Sequence, residues 1–240
     1  MTPRRRHLLQ SGLAWLPLPV FSQGQTRASA PFRRLAVADP PFEEEYEVII
    51  AMAPPLARGT IAKVLTRAVS EADEQLKTDK LTAALDPAQT RLLEHFVQAL
   101  AGELAEAEAR LMLVAMDAEP SEDQLLLQMR RKAPQADALM LVNLMGRFVA
   151  LHGLAAYAPS LLIGVKALPA RGGTPLLDHL FTAGFRGLDP RATHLEVVDM
   201  PERFDNMAAL LGDIPRARAA LQAGAEAIAA EVARRLLAGG

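Results

Sequence analysis

Residues 138–168 read ALMLVNLMGRFVALHGLAAYAPSLLIGVKAL, and this stretch decides the fold class. The apolar run at residues 138–144 has the length of a strand, and residues 146–152 predict its continuation or its partner. Apolar residues then recur at every second position of residues 161–168, which predicts a strand with one buried face. That face consists of Leu161, Ile163, Val165 and Ala167.

A glycine-rich turn at residues 171–174 follows this strand. Gly172 and Gly173 adopt positive φ angles at little cost, and hairpin turns need such angles. After the turn, one set of residues over 176–185, Leu177, His179, Phe181, Ala183 and Phe185, alternates with a second set, Asp178, Leu180 and Thr182. This alternation and the glycine turn predict a β-hairpin. Residues 153–160, which precede the strand at residues 161–168, predict a loop that carries Tyr157.

The flanking segments predict helices that cover a sheet. Residues 47–52 predict a short strand, and Asp86 with Pro87 predicts the start of a helix over residues 87–109. Ser121 is the predicted cap of a further helix, and two more follow, the last over residues 221–236. Helical spacing from Gly59 onward places one apolar face on Ile61, Val64, Leu65, Ala68, Val69, Ala72 and Leu76.

Residues 111–116, LMLVAM, are apolar on both faces of a strand. A strand of that kind is expected in the interior of a sheet with helices above and below it. The order of elements predicts an α/β (α+β) fold, in which a mixed sheet carries an antiparallel meander. Helices flank this sheet, and a C-terminal helix closes the domain.

Residues 1–30 have the layout of an export signal peptide. Basic residues at positions 4–6 precede an apolar run over residues 8–21, and small residues follow. Arg5 and Arg6 resemble the twin-arginine signal, and the general secretory route is the alternative. Cleavage after Ala30 fits the A-x-A form, but Pro31 would hinder it, so sites after Ser22 or Ala28 stay open. The expected location is the periplasm.

Composition bounds the class of protein. The 240 residues are 50% hydrophobic and 22% charged, which is typical of a globular chain. Loss of residues 1–30 leaves 22 basic and 28 acidic residues, a net charge of −6, and such a chain is repelled by nucleic acid. Arg147, His152, Pro159 and Lys166 interrupt the apolar stretch that could otherwise span a membrane.

Three segments organise the chain. Residues 1–30 are the predicted signal peptide, residues 31–45 are proline-rich and charged and predict a linker or arm, and residues 46–240 predict a single α/β domain.

No motif for catalysis is found in the sequence. There is no glycine-rich phosphate loop, no G-x-S-x-G and no H-E-x-x-H, and the absence of cysteine excludes thiol catalysis and disulfides. His152, His179 and His194 are candidate metal ligands by residue type, but their spacing matches no ligand signature. We therefore expect no metal site, no cofactor and no catalytic residue. Asp117 follows a predicted strand, where it caps or turns the chain rather than acting as a catalytic carboxylate.

Tyr157 lies among small residues in AAYAPS. A rigid aromatic ring on such a loop is either a contact anchor for a partner or a lid over the end of the sheet. The sequence leaves both roles open.

One resemblance adds to this reading. Residues 136–185 have the form A-D-A, apolar strand, G-R-F-V, then Y-A-P-S, strand, A-L, G-G and strand, and the helix L-Q-A-G-A-E-A-I at residues 221–228 follows. This resembles the envelope proteins and lipoproteins related to the amino-terminal domain of TolB and to the curli-secretion lipoprotein CsgG. The resemblance extends over residues 45–237 in element order and over residues 137–237 in residue detail.

The resemblance implies a mixed sheet closed by a helix and an accessory or assembly role, without catalytic residues. The chain lacks the lipobox cysteine of the lipoprotein members, so no lipid anchor is expected. The sequence thus predicts an exported, periplasmic, non-enzymatic binding or accessory protein with an envelope protein as partner. An exported enzyme or metal- or cofactor-binding protein is the alternative.

Overall fold

The computed structural model describes residues 31–39, 44–50, 60–117, 121–151, 155–186, 189–197, 200 and 203–239. The strands and helices, in chain order, are β1 (Arg34–Asp39), β2 (Glu45–Ile50), α1 (Thr60–Leu85), α2 (Pro87–Thr90), α3 (Leu92–Ala105), β3 (Arg110–Ala115), α4 (Glu122–Lys132), β4 (Ala138–Ala150), β5 (Ala158–Pro169), β6 (Leu177–Gly184), β7 (Thr193–Leu195), α5 (Met207–Gly212) and α6 (Ile214–Ala238).

The strands form one seven-stranded mixed sheet in the order β3-β1-β4-β5-β6-β7. β4, β5 and β6 are antiparallel neighbours and form the predicted meander. β1 and β2 are both parallel to β4 and lie one after the other along the same edge of it, because β1 pairs with residues 138–140 and β2 with residues 145–150. The prediction of a mixed α/β sheet with a meander is confirmed.

Helices cover the two faces of the sheet unequally. α1, α3 and α6 pack on one face and enclose the larger core, in which the inward residues of β5 meet α6. α4 packs on the other face, against β1, β3 and the first part of β4. The inward residues of the last helix, Leu221, Ala225, Ile228, Val232 and Leu236, are all buried, as their spacing predicts.

Local signals set most element boundaries. Ser121 Oγ accepts a hydrogen bond from Gln124 N at 3.4 Å and caps α4, as predicted. Asp86 caps α2 through a hydrogen bond that its side chain accepts from Ala88 N. The helix predicted over residues 87–109 is divided, because Arg91 adopts a left-handed conformation with φ 48° between α2 and α3. β4 runs through Gly146 without interruption, so residues 146–150 continue the strand.

Three sequence predictions are wrong. Within the predicted linker at residues 31–45, Arg34–Asp39 forms β1 in the sheet, where four successive apolar residues are buried, so that both faces of the strand are covered. β3 lies at an edge of the sheet instead of its interior, and Leu113 is 44% exposed. In α1, Leu76 is 53% exposed, and Leu81 and Leu85 provide the buried contacts. Composition cannot rank strands within a sheet, since edge and central strands can both be apolar.

A charged network joins the end of α6 to β6 and β7. Glu231 accepts hydrogen bonds from Arg234 and Arg235, and the Arg235 guanidinium lies 5.0 Å from the Phe181 ring centroid. Arg235 also donates to Thr193 Oγ1 at 3.3 Å. Arg234, followed by Arg235, lowers the pKa of Glu231 to about 2.

This network predicts acid sensitivity. A carboxyl group with a depressed folded-state pKa contributes stability that is present above its ordinary pKa and is lost as pH falls toward the folded value. For Glu231 that window runs from about pH 4.5 down to about pH 2. We expect Glu231→Gln to lower the melting temperature at pH 7 and to approach the parent protein near pH 2. Melting curves followed by circular dichroism measure this, with exposed Glu103→Gln as the control. A constant gap at every pH contradicts the prediction.

Candidate functional site

A cleft with a volume of about 1130 Å³ lies beside the edge strand β3. It is bounded by the ends of β1 and α1, by α2 and by the start of α3. Apolar side chains from α3 and β3, Leu93, Val97 and Leu113, contribute to its wall. Five carboxylates line it, Asp39, Glu44, Asp79, Asp86 and Glu94, together with the one arginine Arg91. We call this the acidic cleft.

Hydrogen bonds fix one carboxylate of the acidic cleft. Glu44 Oε1 accepts from Leu93 N at 2.9 Å at the start of α3, and Glu44 Oε2 accepts from the Tyr46 hydroxyl at 2.7 Å. Burial, and then Glu44, raise the pKa of the Tyr46 hydroxyl, so it stays protonated and continues to donate. Both oxygens of the Glu44 carboxylate are therefore used in hydrogen bonds within the protein.

The remaining carboxylates of the cleft differ in their hydrogen bonds and ion pairs. Asp86 caps α2, and Glu94 forms an ion pair with Arg91 at 2.8 Å. Asp79 accepts from the Gln75 side chain at 2.8 Å, and Asp39 stands at the end of β1. The carboxylates outnumber the single guanidinium, so the cleft presents negative charge to any molecule that enters it.

The edge of β3 that faces away from β1 borders this cleft. Arg110 N donates to Arg33 O, directly before β1, at 2.8 Å, and Met116 N donates to Asp39 O at the end of β1 at 2.9 Å. Because alternate residues of a strand direct their peptide groups to opposite edges, Leu111, Leu113 and Ala115 direct theirs away from β1. Ala115 O accepts from Lys132 Nζ at 2.9 Å. Within the described residues no strand pairs with this edge.

The structure separates the two candidate histidines that it describes. His179 on β6 faces the larger core, where its Nε2 lies 2.6 Å from Thr193 Oγ1. Burial, and then Arg235, lower the pKa of His179, so its imidazole is neutral at pH 7. His194 on β7 is the register partner of Thr182 on β6. Thr182 and His179 lie an odd number of residues apart on β6, so His194 and His179 point to opposite faces of the sheet. His152 lies outside the described residues.

His194 lies at a small cavity of about 190 Å³, with Arg186, Glu196 and Arg203 also in its lining. Its Nδ1 is buried and has no hydrogen-bond partner among the described residues. Burial, and then Arg186, lower the pKa of His194. Across the described residues, no three side chains of the metal-binding types converge.

Tyr157 is a core residue and not an exposed contact anchor. Its side chain is 1% exposed, and its backbone pairs with Phe204 in both directions, at 2.7 and 2.9 Å. This pairing joins the start of β5 to the segment before α5. The hydroxyl is buried without a hydrogen bond from the described residues, although the Lys77 ammonium group interacts with it electrostatically. Tyr157 therefore closes this end of the sheet.

The buried hydroxyl predicts an unequal pair of variants. Tyr157→Phe removes a hydroxyl that interacts with the Lys77 ammonium group, so we expect the free energy of unfolding to change by about 1 kcal/mol or less. Tyr157→Ala removes the ring from the core and is expected to cost about 3–5 kcal/mol. Urea unfolding of both variants tests this. A large loss in Tyr157→Phe would show that the hydroxyl has a partner.

Asp117 and the two arginines of the signal-like segment are the remaining positions singled out in the sequence. Asp117 pairs with Lys132 at 3.1 Å, its backbone N–H donates to Gln128, and its side chain is largely exposed, which fits a turn residue. Arg5 and Arg6 lie outside the described residues. The acidic cleft was missed by sequence reasoning, because its carboxylates come from separate segments and only Asp86 stood in a recognisable helix-start signal.

Comparisons with known proteins identify no family. No family model matches the chain, and no curated protein matches it. A crystal structure of a protein from Xanthomonas campestris, described with the family model DUF330, aligns with 95% of this chain and 93% of that chain. The identity is 10% and the TM-score 0.33. No helix in the described part of the chain is both long enough and apolar enough to cross a membrane.

Proposed function

We propose that this protein is an exported, periplasmic, non-enzymatic binding or accessory protein of the cell envelope. The acidic cleft is its docking site, and the partner presents a basic segment. The signal-like residues 1–30 and the resemblance of residues 136–185 to envelope accessory proteins support the location and the class. An enzyme or a metal- or cofactor-binding protein on the twin-arginine route is the alternative.

One observation carries the choice of docking site. The acidic cleft is large, its apolar wall includes Leu113 at 44% exposure, and the carboxylates in its lining outnumber the single guanidinium. An apolar surface that also carries charges of one sign favours a partner with apolar contacts and the opposite charge. Lysine- or arginine-containing segments of a protein have both properties.

The docking proposal is tested with a peptide probe. We expect a peptide of alternating lysine and valine to bind the protein, and the matching glutamate–valine peptide not to bind, as measured by fluorescence anisotropy. Raising the salt concentration weakens the binding, because exposed charges are screened. Equal binding of both peptides would contradict a charge-selective site.

Paired variants locate the binding. The double variant Asp39→Asn with Asp79→Asn removes two cleft carboxylates. Each substitution is expected to weaken binding about fivefold, because a solvated charge pair contributes about 1 kcal/mol. Asp123→Asn with Glu103→Gln removes the same charge outside the cleft and serves as the control. Similar losses in both double variants would place the binding elsewhere.

Export is tested separately. Residues 1–30 fused to a reporter are expected to direct it to the periplasm, and Arg5→Lys with Arg6→Lys blocks this if the route is twin-arginine. Full export of the double variant would favour the general secretory route. Retention of the unchanged fusion in the cytoplasm would contradict export altogether.

A further inference from the structure

We infer that the partner segment binds as an added β-strand on the outer edge of β3, with its alternate side chains in the acidic cleft. This inference rests on the proposed function and specifies how the basic segment is held. Strand addition to an exposed sheet edge is a recurrent mode of peptide recognition, in which backbone hydrogen bonds give affinity and side-chain pockets give specificity.

The outer edge of β3 has the backbone groups that strand addition requires. Leu111 and Leu113 direct their N–H and C=O groups away from β1, and Leu113 is exposed. Such an edge is usually blunted in natural proteins by proline, by inward charge or by a covering element. Here Lys132 engages the carbonyl of Ala115, at the end of the strand, and leaves the peptide groups of Leu111 and Leu113 without a strand partner among the described residues.

The two sides of an added strand would meet different surroundings. Val114 and Met116 of β3 belong to the core under α4, and Met112 packs against that core while remaining partly exposed. Leu113 lies on the opposite side, at the acidic cleft. Because successive side chains of a strand point to opposite faces, the bound segment should alternate, with basic residues on the cleft side and apolar residues on the α4 side. Charge complementarity thus selects a basic, extended segment as the occupant.

A backbone variant separates strand addition from simple charge attraction. Leu113→Pro removes the outward N–H, and proline is tolerated at such a position because this N–H does not take part in the pairing with β1. We expect Leu113→Pro to weaken binding of the lysine–valine peptide by at least tenfold. Leu113→Ala keeps the N–H and loses only the side chain, so its loss should be smaller. The circular dichroism spectrum of each variant verifies that it is folded.

The decisive measurement is amide hydrogen exchange by NMR on the full protein. Peptide binding is expected to slow exchange at the amides of Leu111 and Leu113, and to leave exchange at the exposed Leu127 of α4 unchanged. A peptide whose alternate amides are replaced by esters should bind more weakly and give less protection.

The outcomes separate the two proposals. Charge-dependent binding without protection of Leu111 and Leu113 overturns strand addition and leaves the acidic cleft as the docking site. No binding of the basic peptide at all overturns both proposals. Protection that increases with protein concentration in the absence of peptide, together with a doubled mass, would identify a second copy of this chain as the occupant and overturn the basic partner.

Discussion

Gly184→Ala is expected to prevent stable folding or to lower the free energy of unfolding by about 3 kcal/mol or more. Gly184 ends β6 with φ 84°, in a left-handed conformation that costs other residues about 1–2 kcal/mol. A Cβ atom at this position would also overlap the carbonyl oxygen of Pro159. Because that oxygen belongs to the backbone of β5, the clash can be relieved only by moving one strand away from the other.

Gly172→Ala is the matched control for this variant. Gly172 has nearly the same φ, 86°, but a Cβ there has nothing within 4 Å. We expect it to cost only the conformational strain, about 1–2 kcal/mol. Thermal and urea unfolding of both variants, followed by circular dichroism, measure the difference. If the two variants lose equal stability, the approach of Gly184 to Pro159 does not exist in the protein.

Val114→Asp is the second substitution with a large expected effect. Val114 is 8% exposed and packs in the core between β3 and α4. An aspartate there would bury a carboxylate without a partner, at a cost of several kcal/mol against a total stability of about 5–15 kcal/mol. We therefore expect a largely unfolded protein at neutral pH, measured by loss of cooperative thermal unfolding.

The neighbouring residue provides the control for Val114→Asp. Leu113 points to the opposite side of the same strand and is 44% exposed, so Leu113→Asp should cost no more than about 1 kcal/mol. Equal damage from both substitutions would mean that β3 is buried on both faces and lies inside the sheet. That result would restore the expectation drawn from the sequence alone.

Most helices and strands could be predicted from periodicity. The alternation of Leu161, Ile163, Val165 and Ala167 gave the buried face of β5, because a strand turns one side chain in two toward the core. The spacing of the apolar residues in α6 gave its buried face in the same way. Where prediction failed, as at Arg34–Asp39, proline and charge on either side concealed a run of only four buried residues.

The candidate site could not be predicted, because no local pattern contains it. Asp39, Asp79 and Glu94 are far apart in the sequence and reach one cleft only when β1, α1 and α3 pack together. The separation of the two described histidines also depends on the tertiary structure. His179 and His194 are close in the sequence, but the parallel register of β6 and β7 places them on opposite faces of the sheet.

The sequence by itself determined the class of fold, the antiparallel meander and the closing helix, since these follow from side-chain periodicity and turn chemistry within short segments. Only the tertiary structure decided that β1 is a sheet strand, that β3 lies at the edge and that Tyr157 is buried. It also brought the carboxylates together beside that edge. Strand order and clefts depend on pairing and packing between distant segments, and an apolar strand such as residues 111–116 has the same composition whether one or both of its edges are paired.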